Sequence, residues 1–509
     1  MAAHTLYEWF ADSATAHPDH VALEARDTEL TYRELRGAAD ALASTLRRHG
    51  IRPGDRVGLV AMRSPWTYAG YLAVLRAGAT VVPLNPAFPA ERNRSIAARS
   101  GLRGVVHEGR LSPVEAMLPT GAPANWPPPN EDDPSLEPYS GRAEDTAYIL
   151  FTSGSTGAPK GVPIGHANVS PYLEHNITRY EVEPNHRLTQ TFDLTFDPSV
   201  FDMFVAWGAG ATVVVPSPED VRDPVDFVNR RQITHWFSVP SVVSLAHRMR
   251  RLPPGRMTGL RWSLFAGEQL TIEQAAAWGR AAPASRIENI YGPTELTITC
   301  TGYQLPRDPA RWPQTDNRTV PIGFCYPHLE HVVLSSNGLP GAEGELCVRG
   351  SQRFGGYLDP SDDGGRFMRF DLSGDRPARP VEDAVRLTED HWYRTGDRVR
   401  ITSDGTMTHL GRLDSQVQVH GYRVELGEVE AALRCHPKVS EAVVLADETE
   451  LRAVYTGAPS STGELSEWLN RSLPTYMIPR RYRHVDVLPL NPHGKVDRRR
   501  LEALSEVPA

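Results

Sequence analysis

The segment YILFTSGSTGAPKGVPIGH (148–166) runs from apolar residues into small, hydroxylated and glycine residues. Glycine permits sharp backbone turns, and successive N–H groups in such turns bind anions. Hydroxyl groups add further donors, and a lysine adds positive charge. The residues concerned are Thr152, Ser153, Gly154, Ser155, Thr156, Gly157 and Lys160. The pattern predicts a phosphate-binding loop, and the alternative interpretation is a flexible Gly/Ser linker.

Spacing excludes two well-known motifs for this loop. A Walker A loop requires G-x-x-x-x-G-K, whereas Pro159 precedes Lys160. The nucleophile elbow G-x-S-x-G does not fit the segment either. The chain has three lysines, Lys160, Lys438 and Lys495, among 54 lysine and arginine residues. Because lysine is so rare, its presence in the loop favours phosphate binding over a linker.

The elements that must position this loop alternate between helical and strand patterns. Apolar residues at helical spacing predict helices over 31–50 and 66–78, each ending at a glycine. Short apolar runs predict buried strands at 55–61, 79–85 and 145–152, the last leading into the loop. Strand, helix and strand in close order predict a parallel sheet with crossover helices.

The predicted secondary structure changes after about residue 330. EHVVLSS (330–336), GELCVRG (344–350) and DRVRITSDGTMTHLGR (397–412) read as short antiparallel strands joined by glycine and aspartate turns. A helix is expected at 425–437, followed by another strand. The stretch GRLDSQVQVHGYR (411–423) is the expected boundary between a large N-terminal part and a small C-terminal lid.

Bulk properties predict a reduced, cytoplasmic, globular protein of more than one domain, or of one large domain with an attachment. The 509 residues are 40% hydrophobic, and the net charge of −8 gives no indication of nucleic-acid binding. No segment reads as a signal peptide or as a membrane span. The four cysteines are scattered without a CxxC pair, which argues against a zinc site or a disulfide framework.

The sequence resembles a known family, the adenylate-forming enzymes, over essentially its whole length. This superfamily includes acyl-CoA synthetases, luciferases and the amino-acid adenylation domains of nonribosomal peptide synthesis. Beside the glycine-rich loop, the segments that carry the resemblance are FDPSVFDMF (196–204), FAGEQL (265–270), NIYGPTE (289–295), GELCVRG (344–350), YRTGD (393–397), GRLDSQVQVHGYRVELGEVE (411–430), LPTYMIP (473–479) and NPHGKVD (491–497). The long segment at 411–430 is similar to the amino-acid branch, including stand-alone amino acid–carrier protein ligases.

The resemblance implies an α/β fold in two parts. The larger part has layered α/β sheets with a small β-barrel-like subdomain, and the smaller is a mobile α+β lid. The boundaries expected from the motifs are 1–410 for the N-terminal core, 411–414 for a hinge containing Asp414, and 415–509 for the lid. In this family the lid rotates about the residue matching Asp414 after adenylation.

The resemblance also implies ATP and Mg²⁺ as cofactors. Tyr291 is expected to stack on adenine, Thr294 to contact the α-phosphate and Glu295 to bind Mg²⁺, the last two acting as catalytic groups. One carboxylate suffices for Mg²⁺ beside a triphosphate, because this cation keeps several waters. Together with the loop, the residues expected at the nucleotide are Gly267, Glu268, Asn289, Tyr291, Gly292, Asp397 and Arg412.

Lys495 is the catalytic residue that the resemblance places on the lid, where it also contacts the substrate. Attack of a carboxylate on the α-phosphate brings two anions together, and a positioned ammonium group offsets their repulsion. A compact charge on a flexible stem suits this role better than a planar guanidinium group. The alternative is an ordinary surface lysine beside DRRR (497–500).

Asp197 in FDPS is expected to pair with the α-ammonium group of an amino acid. Asp before Pro also suits a helix N-cap, and both roles can hold at once. Matching to the family gives an uncharged pocket wall, which disfavours charged side chains and suggests a small neutral amino acid: alanine first, then serine, threonine, valine or proline. The wall residues are Pro198, Phe201, Ser238, Leu264, Ala266, Ile290, Ile298 and Thr299.

The expected reaction is ATP-dependent formation of an aminoacyl-AMP, followed by transfer to the phosphopantetheine thiol of a separate carrier protein. The chain ends within ten residues of KVDRRRL (495–501), so the carrier is expected to be a separate partner, and the enzyme a monomer without nucleic-acid or membrane partners. One alternative is an acid–CoA ligase, distinguished by testing free CoA against a carrier. Another is a non-catalytic scaffold, against which the intact motif residues argue.

Overall fold

The computed structural model describes residues 4–108, 110–112, 139, 141–154, 158–371, 377–381, 387–414, 416–419, 421–446, 450–489 and 500–501. The chain divides into two compact units. The first unit consists of Met1–Asn85, Ser100–Leu150 and Gly161–Leu413. The second consists of Pro86–Arg99, Phe151–Lys160 and Asp414–Ala509.

Helices and strands alternate along the first part of the chain. In chain order they are α1 (Leu6–Ala16), β1 (Val21–Ala25), β2 (Thr28–Thr31), α2 (Tyr32–Arg48), β3 (Arg56–Val60), α3 (Pro65–Arg76), β4 (Thr80–Leu84), α4 (Ala90–Ser100), β5 (Gly104–His107), β6 (Arg110–Ser112), β7 (Thr146–Thr152), β8 (Lys160–Gly165) and α5 (His166–Arg179). The strands β6-β5-β3-β4-β7-β8 form a six-stranded sheet in that order, with β4 parallel to both β3 and β7. The predicted strand–helix–strand pattern is therefore confirmed.

The start of α2 shows how the local sequence determines an element boundary. The Thr31 hydroxyl accepts a hydrogen bond from the Glu34 N–H at 3.2 Å, and the Glu34 carboxylate accepts one from the Thr31 N–H at 2.8 Å. This reciprocal capping box satisfies two N–H groups that the first helical turn leaves without partners. The helix ends at Arg48, two residues before Gly50, which has a positive φ of 87°.

A nine-stranded sheet forms the centre of the first unit. Its further elements are β9 (Arg187–Thr189), α6 (Pro198–Gly208), β10 (Thr212–Val215), α7 (Pro218–Arg222), α8 (Pro224–Arg230), β11 (His235–Ser238), α9 (Ser241–Arg248), β12 (Trp262–Phe265), α10 (Ile272–Ala281), β13 (Arg286–Tyr291), β14 (Thr301–Gln304) and β15 (Phe324–Cys325). The strand order is β15-β14-β13-β12-β11-β9-β10-β1-β2. The strands β9, β11, β12 and β13 are parallel, so their carboxyl ends meet at one edge of the sheet.

The C-terminal part of the first unit is an antiparallel sheet. Its strands are β16 (Leu329–Leu334), β17 (Glu343–Gly350), β18 (Phe367–Arg369), β19 (Arg379–Pro380), β20 (Trp392–Ile401) and β21 (Met407–Arg412). The order is β16-β17-β20-β18-β19, and β21 pairs with β20. This sheet stands where the sequence predicted short antiparallel strands and a barrel-like subdomain.

The second unit is a small α/β body. Its elements after residue 413 are β22 (Gln416–Val419), β23 (Tyr422–Glu425), α11 (Leu426–Arg434), β24 (Val439–Ala446), β25 (Leu451–Gly457), α12 (Thr462–Leu469) and β26 (Arg481–His484). The helix and strand predicted at 425–437 and beyond correspond to α11 and β24. Several sheets in the first unit and an α/β C-terminal region confirm the predicted fold class.

The second unit also contains two segments from earlier in the chain, 86–99 and 151–160. The Arg92 guanidinium pairs with the Glu428 carboxylate at 2.7 Å, and both side chains are buried. The rings of Tyr422 and Tyr476 stack at 3.9 Å, and Phe88 packs edge-on against Tyr476. Both segments lie in the stretch 1–410 that was predicted to form the N-terminal core. The predicted domain boundaries stay a prediction.

No helix within the described residues has the length and apolar character needed to cross a bilayer.

Candidate active site

The predicted pocket wall lies at the carboxyl ends of three neighbouring parallel strands. Ser238 is the last residue of β11, Ala266 follows β12, and Ile290 is the penultimate residue of β13. The register pairs Ser238 with Phe265 and Phe265 with Asn289, which brings these strand ends side by side. Crevices at such strand ends are where open α/β sheets bind ligands.

A tight turn follows β13 and carries several predicted site residues. A Cβ atom on Gly292 would lie 2.5 Å from the Thr299 Cα, so this position requires glycine. Thr297 and Ile298 have φ values of 58° and 74°, in the left-handed region that L residues with branched Cβ atoms rarely adopt. Backbone strain of this kind is concentrated at functional sites. The turn brings Ile298 and Thr299 back toward Gly292.

Asp397 is the centre of a hydrogen-bond network at the predicted nucleotide site. The Tyr291 hydroxyl donates to Asp397 Oδ2 at 2.6 Å, His409 Nε2 lies 2.9 Å from Oδ1, and Arg412 Nη1 lies 3.1 Å from both oxygens. Burial alone raises the pKa of Asp397, but the hydrogen bond from His409 and the charge of Arg412 outweigh it and leave the pKa below its ordinary value. Asp397 is therefore ionised at neutral pH and fixed in orientation.

The register of the antiparallel sheet explains why these two motifs meet. Asp397 on β20 is the direct cross-strand partner of Arg412 on β21. Arg412 also donates to the Thr395 carbonyl at 3.1 Å. A carboxylate with a fixed orientation suits two hydroxyl donors such as those of a ribose.

Other residues predicted at the nucleotide have defined partners in the first unit. The Asn289 amide donates to the carbonyls of Val320 and Pro321, each at 2.9 Å, and so anchors β13. Glu268 accepts a hydrogen bond from the Ser241 N–H at 2.8 Å, and Gly267 has a φ of 84°. Their contact with nucleotide stays a prediction.

Glu295 is fully buried in the one-turn 3-10 helix Thr294–Leu296. Its carboxylate accepts a hydrogen bond from the Tyr357 hydroxyl at 2.6 Å, and that hydroxyl lies 3.3 Å from the hydroxyl of Tyr393. A buried carboxylate is costly unless it is hydrogen-bonded or paired with a cation. The hydrogen bond from Tyr357 orients the Glu295 carboxylate.

Asp197 is a buried carboxylate at the start of α6. Asp197 occupies the N-cap position of α6, with Pro198 as the first helical residue as predicted, but its side chain makes no capping hydrogen bond. Its Oδ2 atom is buried and has no hydrogen-bond partner among the described residues. Burial raises the pKa of Asp197 to about 7, and the charge of Glu295 adds to this, against a hydrogen bond from Thr294 that lowers the pKa. A donor from a bound ligand would satisfy this atom.

The eight residues predicted for the pocket wall are uncharged and buried, and one of them, Thr299, contacts two tyrosine hydroxyls that the sequence did not indicate. The Thr299 hydroxyl lies 3.0 Å from that of Tyr172 and 2.9 Å from that of Tyr326. The Phe201 ring packs edge-on against the Phe237 ring, with their centroids 5.0 Å apart. Both tyrosines are far from Thr299 in sequence, so no local spacing could have revealed them.

The remaining wall residues are also placed by the structure. The Ser238 hydroxyl accepts a hydrogen bond from Trp236 Nε1 at 2.9 Å and donates to the Val239 carbonyl, so it is already engaged. Pro198 is the first residue of α6 and Leu264 lies within β12. All three side chains are buried.

The glycine-rich loop belongs to the second unit, where its described residues contact the C-terminal segment. The Ser153 hydroxyl donates to the Arg423 carbonyl at 2.9 Å and accepts from the Glu425 N–H at 3.0 Å. The Gly154 N–H donates to the Glu428 carboxylate at 3.3 Å. This loop N–H is therefore engaged by a carboxylate, and phosphate binding by the loop stays a prediction. Lys160 is buried, and Thr152 ends β7.

Comparison with known families decides the identity of the chain. The AMP-binding enzyme family matches residues 10–358, and the AMP-binding enzyme C-terminal domain matches residues 428–495. The chain belongs to the AMP-binding enzyme family. Within this family it is an adenylation domain of the type found in nonribosomal peptide synthesis. The predicted resemblance is confirmed.

Three relatives illustrate the position of this AMP-binding enzyme. Phosphinothricin tripeptide synthetase PhsC of Streptomyces viridochromogenes is 35% identical over 98% of the chain. The crystal structure of IdnL7 is 40% identical, with a TM-score of 0.70 and coverage of 99% of both chains. The adenylation domain AlmE of Vibrio cholerae, solved with glycyl-adenosine-5'-phosphate, is 25% identical, with a TM-score of 0.82 and coverage of 98% of both chains. The chain spans only 6% to 45% of the length of the first curated relatives it matches.

Several predicted residues of this AMP-binding enzyme lie outside the described residues. They are Ser155, Thr156 and Gly157 of the loop and the catalytic candidate Lys495. The predicted hinge residue Asp414 is described, and its carboxylate accepts a hydrogen bond from the Gln416 N–H at 3.2 Å. The hinge role stays a prediction.

His409 lies at the predicted nucleotide site and was not identified from the sequence. Its ring centroid lies 5.9 Å from that of Tyr291, and both residues contact Asp397. It lies three residues before Arg412 on the same strand. Pairing β20 with β21 so that Asp397 lies opposite Arg412 would have placed His409 near Asp397.

Proposed function

We propose that this AMP-binding enzyme activates a small neutral amino acid to its aminoacyl-AMP, with release of pyrophosphate. It then transfers the aminoacyl group to the phosphopantetheine thiol of a carrier protein. Enzymes of this family use ATP, and the relatives include synthetases of peptide products. The amino-acid substrate and the carrier step are the parts that need experimental proof.

The orphaned Oδ2 atom of Asp197 carries the proposal. A buried carboxylate oxygen without a donor is costly, and an α-ammonium group supplies both donors and the opposite charge. A plain carboxylic acid would leave Asp197 unpaired. Amine recognition therefore distinguishes an amino-acid adenylating enzyme from a ligase for simple acids.

The pocket wall supports a small, neutral side chain. The predicted wall residues carry no charge, and a charged substrate side chain would be buried there without a partner. In this proposal the bulky Phe201 ring, which packs against Phe237 and Tyr180, shortens the pocket. AlmE, the structural relative that contains a glycyl adenylate, is likewise associated with a small amino acid. Alanine is the first candidate, followed by serine, threonine, valine and proline.

The residues present fit ATP and Mg²⁺. Asp397 and Tyr291 form a rigid polar pair suited to a nucleoside, and Glu295 offers a buried carboxylate oriented by Tyr357. Among the residues that the structure describes, no cluster of three His, Cys, Asp or Glu side chains could hold a metal by itself. Mg²⁺ beside a triphosphate needs only one or two protein carboxylates. Bound there, it would neutralise charge on the phosphates.

Pyrophosphate exchange across the twenty amino acids tests the proposal. We expect exchange with alanine and its small neutral neighbours, and exchange reduced to background with Asp, Glu, Lys and Arg. Since one methylene alters discrimination only about 10- to 200-fold, several small amino acids will register. The preferred substrate is then offered with either a phosphopantetheinylated carrier or free CoA. Loading of CoA alone indicates an acid–CoA ligase, and no exchange with any amino acid indicates a scaffold.

The raised pKa of Asp197 predicts a pH-dependent affinity for the amino acid. Only ionised Asp197 pairs with the ammonium group, and its pKa of about 7 means that the ionised fraction grows as pH rises. The KM for the amino acid is expected to fall roughly tenfold between pH 6 and pH 8. The KM for ATP measured at the same pH values serves as the control. A KM for the amino acid that is constant over this range would contradict the assignment.

A further inference from the structure

The loop between β9 and α6, residues 190–197, ends at Asp197 and has no regular secondary structure. The backbone polar groups of such a loop need partners, because burying them unpaired is costly. Gln190 is fully buried at one end of the loop, and Asp197 is buried at the other. The side chains that satisfy this backbone also determine where the Asp197 carboxylate lies.

Arg63 contacts the beginning of this loop. It follows β3 with a φ of 51°, in the left-handed region that non-glycine residues rarely adopt. Its guanidinium group donates to the Thr191 carbonyl at 3.1 Å and also to the Gln190 carbonyl. The unusual backbone conformation directs a long cationic side chain to two successive carbonyl groups.

Asp202 holds the same peptide from the other side. It lies on α6, one turn and a half after Asp197, and only 1% of its surface is exposed. Its Oδ2 atom accepts a hydrogen bond from the Thr191 N–H at 3.0 Å. Burial raises the pKa of Asp202 well above its ordinary value, against hydrogen bonds from the loop backbone and the charge of Arg63, which lower it. Thr191 is thus held at its N–H by Asp202 and at its C=O by Arg63.

Neutral groups hold the rest of the loop. The Tyr68 hydroxyl donates to the Gln190 side-chain oxygen at 2.7 Å, and the Gln190 amide donates to the Phe192 carbonyl at 2.5 Å. Further along, the Asn85 amide donates to the Asp193 carboxylate at 3.0 Å. These contacts restrict the loop without introducing another buried charge pair.

We propose that Arg63 and Asp202 are positioning residues that clamp Thr191 and thereby orient Asp197 toward the substrate's ammonium group. This inference rests on the proposed function, in which Asp197 binds the amine. Neither residue needs to touch the substrate. The clamp acts through the loop, which ends at Asp197, and through α6, which begins directly after Asp197 and contains Asp202.

The clamp predicts a selective loss of amine recognition. Arg63→Lys keeps the charge but not the forked geometry, and Asp202→Asn keeps the shape but replaces one carboxylate oxygen with an amide NH₂ group that cannot accept a hydrogen bond. Each variant is expected to raise the KM for the amino acid by about 10- to 100-fold while the KM for ATP stays within about twofold. The preference for the amino acid over its deamino carboxylic acid should fall in parallel. Pyrophosphate exchange measures all three quantities.

Two reference variants separate the clamp from simple structural damage. Arg76→Lys changes another mostly buried arginine of the first unit, one paired with Asp40 at 3.1 Å and not with the loop, so it should leave the preference unchanged. Asp197→Asn should abolish the preference. If Asp197→Asn retains it, the proposed amine site itself is wrong. If Asp197→Asn loses it while folded Arg63→Lys and Asp202→Asn retain it, only the clamp is wrong.

If Arg63→Lys and Asp202→Asn prevent folding, a milder variant tests whether the clamp orients Asp197. Tyr68→Phe removes one hydroxyl and keeps the ring, and it should raise the KM for the amino acid several-fold at a temperature at which circular dichroism shows the variant to be folded. An equal decline in kcat with both substrates and an unchanged preference would mean that these residues only support the fold, which overturns the inference.

Discussion

Asp197→Asn lowers kcat/KM for the amino acid by roughly 10²- to 10⁴-fold in the outcome we expect. Removing one partner of a buried ion pair costs about 3–5 kcal/mol, and each 1.36 kcal/mol changes a rate tenfold. Asn fills the same space, so the loss reflects the missing charge. Pyrophosphate exchange over a range of amino-acid concentrations measures the effect, with the deamino carboxylic acid tested in parallel. The deamino acid, which has no ammonium group, should be affected far less.

Asp197→Asn should not lose stability, although it loses activity. Because the folded pKa of Asp197 is about 7, above its ordinary value, the folded state binds a proton that the unfolded state has released. Wild-type stability therefore falls as pH rises from about 4 to about 7 on account of this group. Asn has no such charge, so Asp197→Asn should be at least as stable as wild type at pH 8.

A buried carboxylate outside the site provides the contrast for Asp197. Glu24 is paired with Arg187 and Arg231, so Glu24→Gln should lower the free energy of unfolding and leave the amine preference unchanged. If Asp197→Asn instead destabilised the protein and kept its activity, Asp197 would be a structural residue. Opposite responses of these two acids would identify Asp197 as a binding group.

The parts of the site that the sequence predicted are those encoded by local patterns. Helical and strand periodicity located α2, β3, α3 and β4 to within a few residues. The short motif NIYGPTE placed Tyr291 and Glu295 on one turn, and glycine is required at position 292 because Thr299 approaches so closely. In each case one short segment contains both the residue and the reason for its conformation.

The parts that the sequence did not predict depend on which distant segments pair. Arg63 and Asp202 meet at Thr191 only because the β9–α6 loop lies beside the residues that follow β3. Tyr172 reaches Thr299 from α5, 127 residues away in the chain. The sheet order β11-β9-β10-β1 is non-sequential, and periodicity along one segment contains no information about such neighbours.

The grouping of 86–99 and 151–160 with the C-terminal residues was not predicted either, because it too depends on contacts between segments that are distant in the sequence. Arg92 and Glu428 are 336 positions apart and form a buried ion pair. Each residue alone reads as an ordinary charge on a helix. Burial of both charges is tolerable only because they pair, and the pairing partner cannot be identified from either local pattern.

Lys495→Ala is expected to reduce the rate of adenylation about 10²-fold or more. Two anions, the substrate carboxylate and the α-phosphate, must approach each other, and a positioned ammonium group lowers the cost of that approach. Amino-acid-dependent pyrophosphate exchange measures the loss. Lys438→Ala is the matched control, because Lys438 is another of the three lysines, is about half exposed and pairs with Glu464 at 2.8 Å.

The chemistry of the side chain at position 495 separates this role from that of a surface charge. Lys495→Arg keeps the charge, yet a planar guanidinium group does not fit a site built for a compact ammonium, so it should recover little of the lost rate. Loading of a carrier from aminoacyl-AMP supplied directly should remain in Lys495→Ala, because that step needs no contact between two anions. Near-wild-type exchange by Lys495→Ala would show that this lysine is an ordinary neighbour of Arg498, Arg499 and Arg500. Loss of exchange with retained transfer would instead assign Lys495 to the first half-reaction alone.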